Sequence, residues 1–123
     1  MKKTSHVVVV GAGVIGCAVA YELARRGSRV HVIDRREVGQ GATQASAGVL
    51  APYITAHEGS ALFELGGRSL ELYDEFVSRV VDDSGSTVQY VRSGTLEIAL
   101  DNASDNRLQR MAGTYRDLGI VAE

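Results

Sequence analysis

Apolar residues change their rhythm several times along this chain, and each change marks an element. Val7-Val8-Val9-Val10 is a continuous apolar run of strand length, and Arg29-Val30-His31-Val32-Ile33 is a second. Continuous runs without alternation suit strands of a parallel sheet covered on both faces. Between them, Val14 to Arg26 predicts a helix whose small residues, Gly16, Cys17, Ala20 and Ala24, allow close packing. Arg25 and Arg26 stand in its last turn, where cations complement the helix dipole, and Gly27 is a natural C′ residue. The opening segment therefore reads as strand, helix, parallel strand.

Further on, Leu62, Phe63, Leu65, Leu70, Tyr73, Phe76, Val77 and Val80 predict helix between Ser60 and Asp82. From Leu70 the stripe has helical period, with Glu71, Asp74, Glu75 and Arg79 outward. Gly66-Gly67 interrupts it, each glycine costing a helix about 1 kcal/mol, which predicts a kink or two shorter helices. Asp82-Asp83-Ser84-Gly85 closes the element, its acids forming a solvated face. The period then becomes two: Val88-Gln89-Tyr90-Val91-Arg92 and Thr95-Leu96-Glu97-Ile98-Ala99-Leu100 flank Ser93-Gly94, the pattern of a β-hairpin. Asp101 to Ser104 offers caps for a last helix with its stripe at Leu108, Met111, Ala112, Tyr115 and Leu118, and Gly119 as its C′ residue.

The chemistry lies at the first junction. Gly11-Ala12-Gly13-Val14-Ile15-Gly16 follows the first strand and opens the helix. Gly11 permits a sharp turn, Gly13 leaves the backbone open to a pyrophosphate, and Gly16 lets the helix lie close to the sheet. The first helical turn then presents free N–H groups and a positive dipole end to an anion. A lone GxGxxG is a weak signal. A strand before it, a helix after it and Asp34 about 20 residues on, at the end of the second strand, make it a dinucleotide fingerprint. Asp34 would accept the ribose hydroxyls and repel a 2′-phosphate, which disfavours NADP, although Arg35 and Arg36 follow it directly.

Met1-Lys2-Lys3 before an apolar run also imitates a signal peptide, with Val14-Ile15-Gly16-Cys17 in the place of a processing site. His6 and the glycines break that run, and an export signal has no use for Asp34; a cytoplasmic protein without a membrane span is expected. A net charge of −2 and the absence of a basic stripe exclude nucleic acid as the expected partner. Cys17 is the sole cysteine, so neither a disulfide framework nor a cysteine metal cluster is expected, and no metal site is assigned. With 123 residues the chain is short for a complete dinucleotide enzyme, and Ile120 to Glu123 reads as the start of a further element. The expectation is the N-terminal piece of a longer polypeptide.

From Gly39 to Pro52 the residues are mostly small, and the stretch ends in Val49-Leu50-Ala51, unlike a flexible linker. Such a run suits a backbone lying against a flat ligand, with a short helix starting near Thr43. Together with the glycine motif, Asp34 and Arg92-Ser93-Gly94-Thr95-Leu96, this segment resembles the D-amino-acid oxidase superfamily of flavoenzymes, and within it the bacterial glycine oxidases of thiamine biosynthesis. The resemblance runs through essentially the whole chain. It implies an α/β fold: the N-terminal, incomplete part of a Rossmann-like FAD-binding domain over 1–84, and the β-hairpin of a second, substrate-binding domain over 85–123.

The resemblance also implies FAD contacts. Gly11, Gly13, Val14, Ile15 and Gly16 would receive the pyrophosphate, and Asp34 the adenosine ribose with Arg35 beside it. Ala42 and Thr43 would continue the phosphate and ribityl contacts, and Ala47, Gly48 and Val49 would pass along the isoalloxazine. The family usually carries glutamate where this chain has Asp34. The implied reaction takes a hydride from an amine or amino acid such as glycine, sarcosine or a D-amino acid, with oxygen the final acceptor, in an enzyme compatible with a homo-oligomer at full length. No residue here is assigned a catalytic role. Tyr53 and His57 follow the isoalloxazine segment, and Tyr90 and Arg92 lie on the expected hairpin, all four with structural or solvated roles favoured. An NAD-dependent dehydrogenase would instead need a third parallel strand soon after Asp34, and a truncated, non-catalytic nucleotide-binding module would need nothing beyond the loop.

Overall fold

The computed structural model describes residues 6–55 and 59–122, in two compact units, 1–50 and 51–123. In the first unit, β1 (His6–Val10) leads into α1 (Val14–Arg25), and β2 (Arg29–Ile33) returns parallel to β1 with Val8 opposite His31 and Val10 opposite Ile33. This is the expected βαβ start. Gly11 has φ +106°, a turn only glycine makes without strain, and its N–H donates to the Ile33 carbonyl at 2.8 Å. At the far end of α1, Gly27 (φ +86°) donates to Ala24 and Ser28 to Leu23, the paired bonds of a Schellman cap. Val7 and Val9 are half-buried, while Val10 is 81% exposed on the opposite face of the strand. The two valine runs are continuous, yet the two-stranded sheet covers them unevenly.

After β2 the chain turns through Gly39 and Gly41, both at positive φ, into the single turn α2 (Ala42–Ala45). Residues 46–50 then run on without regular structure.

In the second unit, α3 (Pro52–Thr55) lies against α4 (Ala61–Ser84). Ser60 caps α4 by accepting the Phe63 N–H, and Gly85 ends it in the left-handed conformation. The kink expected at Gly66-Gly67 is absent: α4 is one helix of 24 residues. The reason is packing. A Cβ on Gly66 would lie 2.6 Å from Pro52 Cβ, and one on Gly67 3.1 Å from the Tyr53 hydroxyl. The glycines let α3 sit on the helix, and that contact offsets their low helix propensity.

The hairpin expected over 88–100 is likewise not formed. Residues 85–100 carry no strand, and Leu96 and Leu100 are 86% and 92% exposed. Two strands alone are marginal in water, and among the described residues no third strand or helix covers their apolar face. Gly94 nevertheless adopts φ +74°, so the turn residue keeps its turn conformation without the ladder. The segment is held to α4 by side chains instead. Tyr90 packs on Tyr73 with ring centroids 5.4 Å apart, and Arg92 donates to Asp74 Oδ1 at 2.9 Å and to the Leu70 carbonyl at 3.2 Å. The last helix, α5 (Asn102–Asp117), starts as expected with a reciprocal Asp101–Ser104 capping box and ends in a Schellman cap at Gly119. Phe63, 7% exposed, centres an aromatic cluster with Tyr53 and Tyr115.

Candidate functional site

The first unit brings three separate pieces of sequence to one corner. These are the glycine loop between β1 and α1, the end of β2, and the turn α2. Gly16 shows why the helix can start where it does: a Cβ there would stand 1.9 Å from the Gly11 carbonyl oxygen and 3.5 Å from Val9 Cγ1. Only a bare Cα lets α1 lie this close to β1.

Asp34 reaches across from β2. Its Oδ2 accepts the Ala12 N–H at 2.8 Å and its Oδ1 the Arg36 N–H at 2.9 Å. The Ala12 N–H above all, then that of Arg36, holds its carboxyl below the ordinary value of 3.8. An ionised carboxylate offers about four lone-pair sites, so about two remain for further donors such as a ribose diol. Ala12 itself, 4% exposed, is clamped on both sides, since its carbonyl accepts the Gly39 N–H at 2.8 Å. The Cys17 thiol also points at that carbonyl, 3.5 Å away, in keeping with the packing role expected of it.

Thr43 completes the corner. Its Oγ1 accepts the Val14 N–H at 2.9 Å, across 29 positions of sequence, and lies 3.0 Å from where a Cβ on Gly13 would be. Gly13, the N-cap of α1, has no side chain to serve that turn, and Ile15 and Gly16 hold the next two helical positions, whose N–H groups lack intrahelical partners. No acid stands in the first turn to repel an anion, and Val14 and Ile15 face solvent.

Gly11, Gly13, Val14, Ile15, Gly16, Asp34 and Thr43 are therefore brought together as one site. Arg35 is exposed beside Asp34, toward which its own backbone N–H is directed, and Ala42 is exposed on α2. Ala47, Gly48 and Val49 continue as an exposed stretch, with the Gly48 N–H donating to Ser46 Oγ and no hydrogen bond to the glycine loop among the described residues. Tyr53 belongs to the aromatic cluster of the second unit, and Tyr115 donates its hydroxyl to the Tyr53 carbonyl. His57 lies outside the described residues. Arg92 is committed to Asp74, Tyr90 and Leu70, a structural role.

Sequence reasoning missed Ala12 and Gly39 as parts of the loop's framework. A small residue between the first two glycines was the available signal for Ala12. The Gly39–Ala12 bond has no signature, because it joins positions set together only by the return of the chain.

The loop fits an FAD pyrophosphate. Its glycine positions leave the backbone bare, the start of α1 offers N–H donors, and Asp34 retains acceptor capacity for a ribose. Among the described residues, no helix is long and apolar enough to cross a membrane.

Comparison with known proteins agrees with this geometry. Residues 6–123 match the family model described as DAO, FAD dependent oxidoreductase. The uncharacterized oxidoreductase YurR of Bacillus subtilis is 33% identical over 110 residues, which are 89% of this chain and 29% of that protein. A glycine oxidase of Bacillus licheniformis is 31% identical over 90% of this chain and 30% of its own length. The bifunctional protein ThiO/ThiG of Nostoc is 40% identical over 76% of this chain and 14% of its own. The chain thus spans less than a third of the curated relatives it matches. With its glycine loop, its Asp34 and a match from the first strand to the last residue, the chain belongs to the DAO family of FAD-dependent oxidoreductases.

Proposed function

We propose that the whole protein is a cytoplasmic FAD-dependent oxidase of a small amine or amino acid, such as glycine, sarcosine or a D-amino acid. The observation that carries this reading is the glycine loop closed by Asp34 in a chain of this family. The substrate class is supported by relatives named glycine oxidase.

The roles follow from the positions. Gly11, Gly13, Val14, Ile15 and Gly16 form the cradle for the pyrophosphate, which meets backbone N–H groups and the positive end of α1. Asp34 takes the adenosine ribose with its remaining lone pairs, beside Arg35. Ala42 and Thr43 border the phosphates and ribityl chain, and Ala47, Gly48 and Val49 border the isoalloxazine. Residues 1–84 are the N-terminal part of the FAD-binding domain, and residues 85–123 begin the substrate-binding part. When bound, FAD supplies the acceptor for a hydride from the substrate α-carbon, giving an imine that hydrolyses to the oxo acid while oxygen is reduced to hydrogen peroxide. The residues of this chain bind and orient; none is assigned to breaking the C–H bond.

The test is purification of the longest reading frame that contains these residues, with FAD supplied. A flavin absorbance spectrum should copurify, and peroxide should form with glycine, sarcosine or D-alanine. A protein that stays colourless after reconstitution would overturn the cofactor assignment. A yellow protein inert towards all three substrates would overturn the substrate class alone.

A further inference from the structure

The hydroxyl of Thr43 occupies an unusual place. It caps the first turn of α1 from outside that helix, accepting the Val14 N–H at 2.9 Å from a position 29 residues away. Such caps normally come from the N-cap residue itself, and here that residue is Gly13, which has no side chain to offer. The two features are one arrangement, because a Cβ on Gly13 would come within 3.0 Å of Thr43 Oγ1. The bare N-cap admits the threonine, and the threonine replaces the missing cap.

The consequence extends along the chain. α2 is a single turn, entered through Gly41 at φ +79° and left through the irregular stretch 46–50. An isolated turn of this length has no stability of its own. Its side-chain tie to the glycine loop is the Thr43 bond, and a Cβ on Gly41 would lie 2.6 Å from Arg36 Nη1, so the entry to the turn is closely packed as well. Among the described residues, no acceptor takes the Thr43 O–H.

We propose that Thr43 is a latch that fixes the 41–46 turn on the glycine loop before any nucleotide arrives, so that the loop and its bordering segment are preformed. The inference rests on the dinucleotide reading of the site and adds a positioning residue to it. Ligand binding then spares the ordering of that segment, and affinity for the phosphate-bearing part of the ligand depends on a hydroxyl at position 43. Threonine and serine can supply it. Valine, which matches threonine in shape, cannot.

The experiment compares the full chain with Thr43→Val and Thr43→Ser. The readouts are amide hydrogen exchange at Val14 without nucleotide, and binding of ADP and of adenosine by calorimetry. The expected result for Thr43→Val is faster Val14 exchange and ADP binding weakened about fivefold, the loss of one hydrogen bond, with Thr43→Ser close to the parent in both. Adenosine, which lacks phosphate, should lose less than ADP. Unchanged Val14 exchange in Thr43→Val overturns the latch. So does equal loss in the valine and serine variants, since the hydroxyl would then not be what matters. A parent chain that binds no ADP overturns the dinucleotide reading instead, and Val14 exchange still decides the latch by itself.

Discussion

Asp34 Oδ2 lies 2.8 Å from the amide nitrogen of Ala12, so the carboxylate that ends β2 also holds the glycine loop that follows β1. The residue expected to meet a ribose is thus first a strut of the loop. One side chain links the two crossings of the sheet and the ligand site built on them.

That double role sets the outcome of substitution. Asp34→Ala should weaken ADP binding at least about tenfold, because a charged acceptor and the support of the loop are lost together. Asp34→Asn keeps one oxygen for the Ala12 N–H and should fall between alanine and the parent. Calorimetric titration with ADP checks both, with circular dichroism to confirm that the fold is kept. Parent-like affinity in the alanine variant would show that Asp34 touches neither the loop nor the ligand in solution.

The same bonds give the site a direction of pH dependence. Folding lowers the Asp34 carboxyl below its ordinary 3.8, chiefly through the Ala12 N–H and then that of Arg36. A carboxylate lowered by folding contributes fully above its unfolded value, and the contribution fades as pH falls through the lowered one. Protection of the Ala12 amide should therefore hold across neutral pH and fail only in acid below the usual carboxylate range. In Asp34→Asn that acid step should be missing from the exchange profile. A matching step in both proteins would assign it to another group.

Gly16 and Gly113 make a contrasting pair. Gly16→Ala drives a Cβ to 1.9 Å from the Gly11 carbonyl oxygen, where backbone must move, and should cost about 3 kcal/mol. Gly113, inside α5, has nothing within 4 Å of its Cβ position, so alanine there should stabilise by about 1 kcal/mol. Urea denaturation of both variants measures the difference. Shifts of the same sign would contradict the close approach of α1 to β1.

Gly66→Ala tests why α4 is unbroken. Helix propensity favours alanine by about 1 kcal/mol, but the new Cβ would stand 2.6 Å from Pro52 Cβ. The expected result is a net loss of thermal stability, because α3 is pushed from the helix. A higher melting temperature would mean that the α3–α4 contact contributes little.

Much of the first unit was legible before any coordinates. The valine runs, the glycine spacing, Arg25 and Gly27 delimit β1, α1 and β2 to within a residue, because these signals are local: strand-length apolar runs, a helix start that needs glycine, a C-terminal cap. The Asp101–Ser104 cap and Gly119 bound α5 for the same reason. The alternating segment 88–100 was misleading. Alternation expresses a capacity to form a half-buried strand, which is realised only where a sheet exists to bury the apolar side. Gly66-Gly67 misled in the opposite sense, since propensity describes the helix alone and says nothing of Pro52 and Tyr53 lying upon it.

By itself, the sequence determined the strand–helix–strand unit, the glycines that only a bare backbone could satisfy, and the acid at the end of the second strand. Those are matters of local conformation and of fixed spacing along one βα turn. Tertiary structure alone decided that Asp34 closes on Ala12, that Thr43 caps a helix 29 residues behind it, and that α4 passes unbroken through two glycines. Each depends on atoms distant in sequence arriving within hydrogen-bond or van der Waals range, and no local pattern encodes that distance.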